Sequence, residues 1–100
     1  MSEVCLTLLC PPAVEEKLLD LLLLSPHTAV FTSTPTAAHG QALGSLGQTE
    51  QVLGHAFATQ VQLVIRDTDK EALLGDIHEQ FAGSGLRYWI IPVNEAGEIA

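Results

Sequence analysis

The apolar residues of this chain change period along the sequence, from two to about 3.6 and back, and the cycle runs twice. Val4–Leu9 is a short apolar run with Thr7 inside it, closed by Pro11 and Pro12, and reads as a first strand. The two prolines suit the first turn of a helix, where an amide hydrogen is not needed. Glu15 and Glu16 follow, near the positive end of the helix dipole. Val14, Leu18, Leu21 and Leu22 recur at helical spacing and predict a helix over Ala13–Leu24, stopped by Ser25-Pro26. Ala29–Thr34 has the β-branched and aromatic content of a second strand. Pro35–Thr49 is rich in Gly and small polar residues and reads as a loop. Over Gln51–Ile65, Leu53, His55, Phe57, Thr59, Val61, Leu63 and Ile65 share one parity, which predicts a long third strand. Thr68 and Glu71 match a capping box at the start of a second helix, whose apolar stripe is Leu73, Leu74, Ile77 and Phe81. Gly83 and Gly85 end that helix, Leu86–Val93 is a fourth strand, and an acidic tail, Asn94–Ala100, follows.

Two strand–helix–strand units in one chain most simply interleave into a four-stranded antiparallel sheet with both helices on one face. The expected class is α+β, a ferredoxin-like βαββαβ sandwich, with residues 1–100 as a single domain. One face of such a sheet lies open and is normally charged. Here Leu21 to Ile65 carries a single charged residue, Glu50. That stretch is expected to supply the central strands. Both parities of the strands are apolar or uncharged, which implies that the open face is covered by further copies of the chain.

Twelve Asp and Glu against four Lys and Arg give a formal net charge of −8, which argues against nucleic acid as the main partner. The most apolar stretch, Leu18–Leu24, is broken by Asp20 and falls short of a membrane span, so no direct membrane insertion is expected. Glu3 stands where a secretory leader has a basic segment, and a cytoplasmic location is expected. Cys5 and Cys10 fall on opposite faces of one strand and cannot bridge each other. They read as small buried hydrophobes in a reducing compartment, or else as a reactive thiol or soft-metal ligand.

The candidate chemistry is sparse. Gly83, Ser84, Gly85 and Arg87 have the makings of an anion cradle, through turn amides and one guanidinium, or of a helix end followed by a surface arginine. Gly40, Gly44 and Gly47, in a glycine-rich loop without the Gly-Lys-Ser/Thr of a phosphate-binding loop, are further ligand-binding candidates. His27, His39, His55 and His78 have spacings that match no compact metal motif. The weak metal candidates are His39, His55 and Cys10. No nucleophile–base arrangement is apparent, so a non-enzyme without a cofactor is expected.

The run Gly83-Ser84-Gly85-Leu86-Arg87-Tyr88-Trp89-Ile90-Ile91-Pro92-Val93-Asn94-Glu95 resembles the C-terminal segment of PII-superfamily proteins. These have a Gly-rich turn there, a basic residue, an aromatic-aliphatic strand and a Leu-Pro-Val-Glu-Glu-like ending. With Leu6-Thr7-Leu8-Leu9-Cys10-Pro11-Pro12 and Val14-Glu15-Glu16-Lys17-Leu18, it is similar to a small branch of short PII-like proteins often encoded beside heavy-metal efflux pumps. The resemblance implies a homotrimer, in the manner of nitrogen regulatory PII and CutA-type divalent-cation tolerance proteins. It places Arg87 where PII has its phosphate-contacting lysine. Leu86 departs from the pattern, standing where PII has a glycine. The loop Ala38–Gln48 also departs, with no tyrosine to modify and no charge to meet a phosphate. The expected function is therefore a small regulatory or sensor trimer, active in signal transduction. It would bind a small anionic ligand or a protein partner, such as a membrane transport protein, at subunit clefts. The alternatives are a CutA-like heavy-metal tolerance protein and a ligand-free structural or adaptor trimer.

Overall fold

The computed structural model describes residues 2–40 and 56–100. Its elements run β1 (Glu3–Cys10), α1 (Glu15–Leu24), β2 (Phe31–Ala38), β3 (Ala56–Arg66), α2 (Lys70–Phe81) and β4 (Arg87–Val93). Each helix is entered through a short 3-10 turn, Pro12–Val14 and Asp67–Asp69. The strands form one sheet in the order β2-β3-β1-β4, every neighbouring pair antiparallel. This is the expected α+β ferredoxin-like sandwich. The central pair is β1 and β3, not the second and third strands; β2 lies at an edge, because the interleaving places β1 between β3 and β4.

Register sorts the side chains. On one face Val4, Leu6, Leu8 and Cys10 of β1 meet Ile65, Leu63, Val61 and Thr59 of β3. Leu18 and Leu22 of α1 and Leu73, Ile77 and Phe81 of α2 close over them, all buried. These helix positions are three or four apart, so each helix presents one stripe to the sheet.

Four expectations are corrected. The second strand begins at Phe31 and runs through Pro35 to Ala38, instead of ending at Thr34 before a loop. Pro35 is tolerated because β2 is an edge strand, where a missing amide hydrogen breaks no ladder. The α-helical part of the first helix begins at Glu15, because Pro12–Val14 takes a tighter turn. The Thr68–Glu71 capping box does not form; Asp69 occupies the cap position and no side chain caps the helix. The 3-10 turn instead ties down locally, with Lys70 Nζ 2.8 Å from Asp67 Oδ1 and Arg66 Nε 2.9 Å from Asp69 Oδ2. Fourth, the fourth strand starts one residue late, at Arg87. Of the expected third strand and loop, residues 41–55 lie outside the described residues.

The end of α1 is satisfied by its own turn. Ser25 N donates to Leu22 O at 3.3 Å, and Thr28 Oγ1 donates to the Leu22 carbonyl. Leu18 is fully buried and Leu23 is 70% exposed on the same helix. Leu18→Ala is expected to cost about 2–5 kcal/mol in urea unfolding. Leu23→Ala is expected to cost no more than about 0.5 kcal/mol.

Candidate functional site

The opposite face of the sheet carries no helix. Its rows follow from the strand registers. Thr34, Gln60, Leu9 and Arg87 form one row across all four strands; Thr32, Gln62, Thr7 and Trp89 form the next. Val64, Cys5 and Ile91 form a third. The middle of the face is polar but uncharged: Gln62 Nε2 donates to Thr7 Oγ1 at 3.3 Å, and Thr7 is fully buried between its neighbours. The β4 side is apolar, with Trp89 43% and Ile91 52% exposed.

Arg87 opens β4 at the pole where β1 and β2 end and β3 begins. Of the four Lys and Arg in the chain, three are engaged within it. Lys17 Nζ donates to Gln80 O at 3.1 Å, and Arg66 and Lys70 pair with Asp69 and Asp67. Arg87 is exposed and, among the described residues, is the one cation without such a partner.

The turn leading to Arg87 needs its glycines. Gly83 has φ +78° and Gly85 φ +86°, backbone that a side chain would strain. Half of the turn's amides are already used: Ser84 N donates to Phe81 O at 3.1 Å, and Leu86 N donates to Ser84 Oγ at 3.2 Å. The cradle expected from Gly83, Ser84, Gly85 and Arg87 therefore reduces to the glycine amides and the guanidinium. Gly40 follows β2 with φ 135° at the same pole. Gly44, Gly47 and His55 lie outside the described residues.

Cys10 ends β1 at this pole, on the helix side. It is fully buried, and its Sγ donates to Pro11 O at 3.4 Å. Burial pushes its thiol up to about 11, and the neighbouring Glu15 carboxylate adds to the effect. Glu15 itself accepts a hydrogen bond from Thr59 Oγ1, opposite Cys10 in the ladder. A thiol held protonated is a poor soft-metal ligand. Among the described residues, no group of three or more His, Cys, Asp and Glu is arranged to hold a metal ion. His39 lies exposed just past β2. His27 faces Asp69 at 3.5 Å, and His78 meets Tyr88 edge-on at 6.0 Å. Cys5 and Cys10 are both free and on opposite faces.

Sequence reasoning missed the polar row beside Arg87. The parity of Gln60 and Gln62 was visible, but only the register sets Gln60 and Thr34 in line with Arg87. No helix among the described residues is long and apolar enough to cross a membrane.

The raised thiol sets a sign. Cys10 ionises near 9 when unfolded and near 11 when folded, so its contribution is intact below pH 9 and declines as pH rises towards 11. Two units amount to about 2–3 kcal/mol. Urea titrations between pH 8 and pH 11 are expected to show that loss in the wild type and a flatter profile in Cys10→Ala.

Comparisons with known proteins agree with this architecture. No curated protein matches the chain. A crystal structure of a DUF3240 family protein from Shewanella baltica OS155 superposes with a TM-score of 0.82 at 16% identity, covering 100% of this chain and 99% of that one. CPII, a nitrogen regulatory PII-like protein from Thiomonas intermedia K12 bound to ADP, AMP and bicarbonate, gives 0.74 at 13% identity, with 99% and 98% covered. A PII-like signalling protein from Thermus thermophilus gives 0.65 at 16% identity, with 93% and 88% covered. The fold is thus PII-like. The DUF3240 model, described as a protein of unknown function, matches residues 1–100, and the chain belongs to that family.

Proposed function

We propose that the chain is a PII-like regulatory or sensor module, a homotrimer that binds a small anionic ligand at clefts between subunits, beside Arg87. The observation that carries this reading is Arg87 itself: an unpaired cation on the open face, next to a turn built on Gly83 and Gly85. The other three Lys and Arg side chains are engaged within the chain, so a guanidinium among uncharged Thr34, Gln60 and Leu9 is available to a ligand from outside. The structure of CPII, of the same fold, is bound to ADP, AMP and bicarbonate. Those anions define the ligand class to try first.

The open face supports an assembly of copies, and the PII-like fold suggests three. Trp89, Ile91 and Val64 are exposed on it, and apolar faces of this kind rarely stay in water. Copies closing over the face would bring a neighbour's residues to Arg87. In this reading the chain is a cytoplasmic binding module and not an enzyme, and ligand binding alters what a partner, such as a membrane transport protein, meets. The metal-tolerance alternative is weakened by the buried, protonated Cys10 thiol.

Two measurements test it. Sedimentation equilibrium at micromolar concentration is expected to give close to three times 10.7 kDa, falling towards one chain in Ile91→Asp. A monomeric wild type removes the trimer. Calorimetry with ADP, AMP and bicarbonate is expected to show binding that Arg87→Ala weakens at least about tenfold, or 1.4 kcal/mol. Equal affinity in both proteins removes Arg87 from the site. No binding of any of the three leaves the adaptor trimer as the better reading.

A further inference from the structure

The outer, helical side of the molecule carries a second feature that the open sheet face does not use. A groove of about 660 Å³ runs between α1 and α2. Its apolar strip includes Leu21 and Leu24, the latter 85% exposed. Glu16 and Asp20 line the α1 wall and Asp76 the α2 wall. Lys17 is the one cation there, and it is already spent: its Nζ holds Gln80 O at 3.1 Å and lies 5.1 Å from the Phe81 ring centroid. It bridges the helices and pairs with none of the three carboxylates, so the groove lining keeps an acidic excess.

Apolar Leu21 and Leu24 set beside three carboxylates complement one kind of occupant, a segment with an apolar stripe flanked by Lys and Arg. A second copy of this chain does not meet the description. It carries −8, three of its four cations are held internally, and Arg87 lies on the other side of the sheet. An anionic lipid surface is repelled by the same carboxylates.

We propose that the α1–α2 groove docks a basic amphipathic helix of a partner protein. The partner's apolar stripe seats on Leu21 and Leu24, and its Lys or Arg side chains reach Glu16, Asp20 and Asp76. Because the groove is on the helical side, closure of the open sheet face by other copies leaves it accessible. The exposed charge pairs are screened by salt, so the affinity falls as ionic strength rises.

The test uses the full chain and a fluorescein-labelled synthetic peptide of about 18 residues, built from Leu and Lys in amphipathic helical order. Anisotropy titrations compare wild type with Asp20→Asn/Asp76→Asn and with a tail control of equal charge change, Glu95→Gln/Glu98→Gln. All four positions are exposed, and circular dichroism verifies the folds. The groove variant is expected to bind at least about tenfold more weakly, with the tail control within about twofold of wild type. Amide shift changes are expected along α1 and α2. The proposal is overturned if wild type does not bind, if both double variants weaken alike, or if the shifts map to the open sheet face. A drop in assembly mass in Leu24→Ser would assign the groove to a second copy and overturn it equally.

Discussion

β1 is the member on which the rest of the molecule depends. It pairs with β3 on one side and β4 on the other, and among the described residues no other strand joins the two halves of the sheet. Its helix-facing residues, Val4, Leu6, Leu8 and Cys10, are all buried under both helices. On its other face Thr7 is equally buried, held between Gln62 and Trp89 in register. A strand so enclosed fixes which residues of β3 and β4 face water, because a slip of one residue would exchange the two faces. The position of Arg87 opposite Leu9 is a consequence of that register.

Much of this architecture was legible in the letters. Periodicity located both helices and the central strands, which bury one stripe or one parity against the same core, and residue composition located the edge strand β2. Local chemistry was less legible where tertiary context overrode it. Pro35 looked like the end of a strand, yet an edge position makes it harmless. Thr68 and Glu71 had capping-box spacing, yet the chain entered α2 through a 3-10 turn held by Asp67 and Asp69. The candidate site was legible only in part. Gly83, Gly85 and Arg87 were read from a motif, and the positive φ values explain the glycines. The uncharged row next to Arg87 and the groove between the helices depend on contacts remote in sequence, and the internal use of the Ser84 and Leu86 amides depends on the path the turn takes.

The two sides of the molecule divide the work of charge. The sheet side is nearly neutral, with one unpaired cation at its pole. The helical side bears most of the acidity of a chain whose formal charge is −8. Fields of that kind speed association with basic partners and slow encounters between copies approaching helix first. One small domain thus presents two surfaces of different electrostatic character.

The edge strands have a consequence for how copies of the chain can meet. Both contain a proline, Pro35 in β2 and Pro92 in β4. A proline nitrogen has no hydrogen to offer an incoming strand. The chain, with an uncharged and partly apolar sheet face open, thus has both margins of its described sheet interrupted against strand-by-strand stacking. Growth into an endless ribbon is disfavoured at the margins, and the sticky surface that remains is a face, which a closed ring of copies can bury completely.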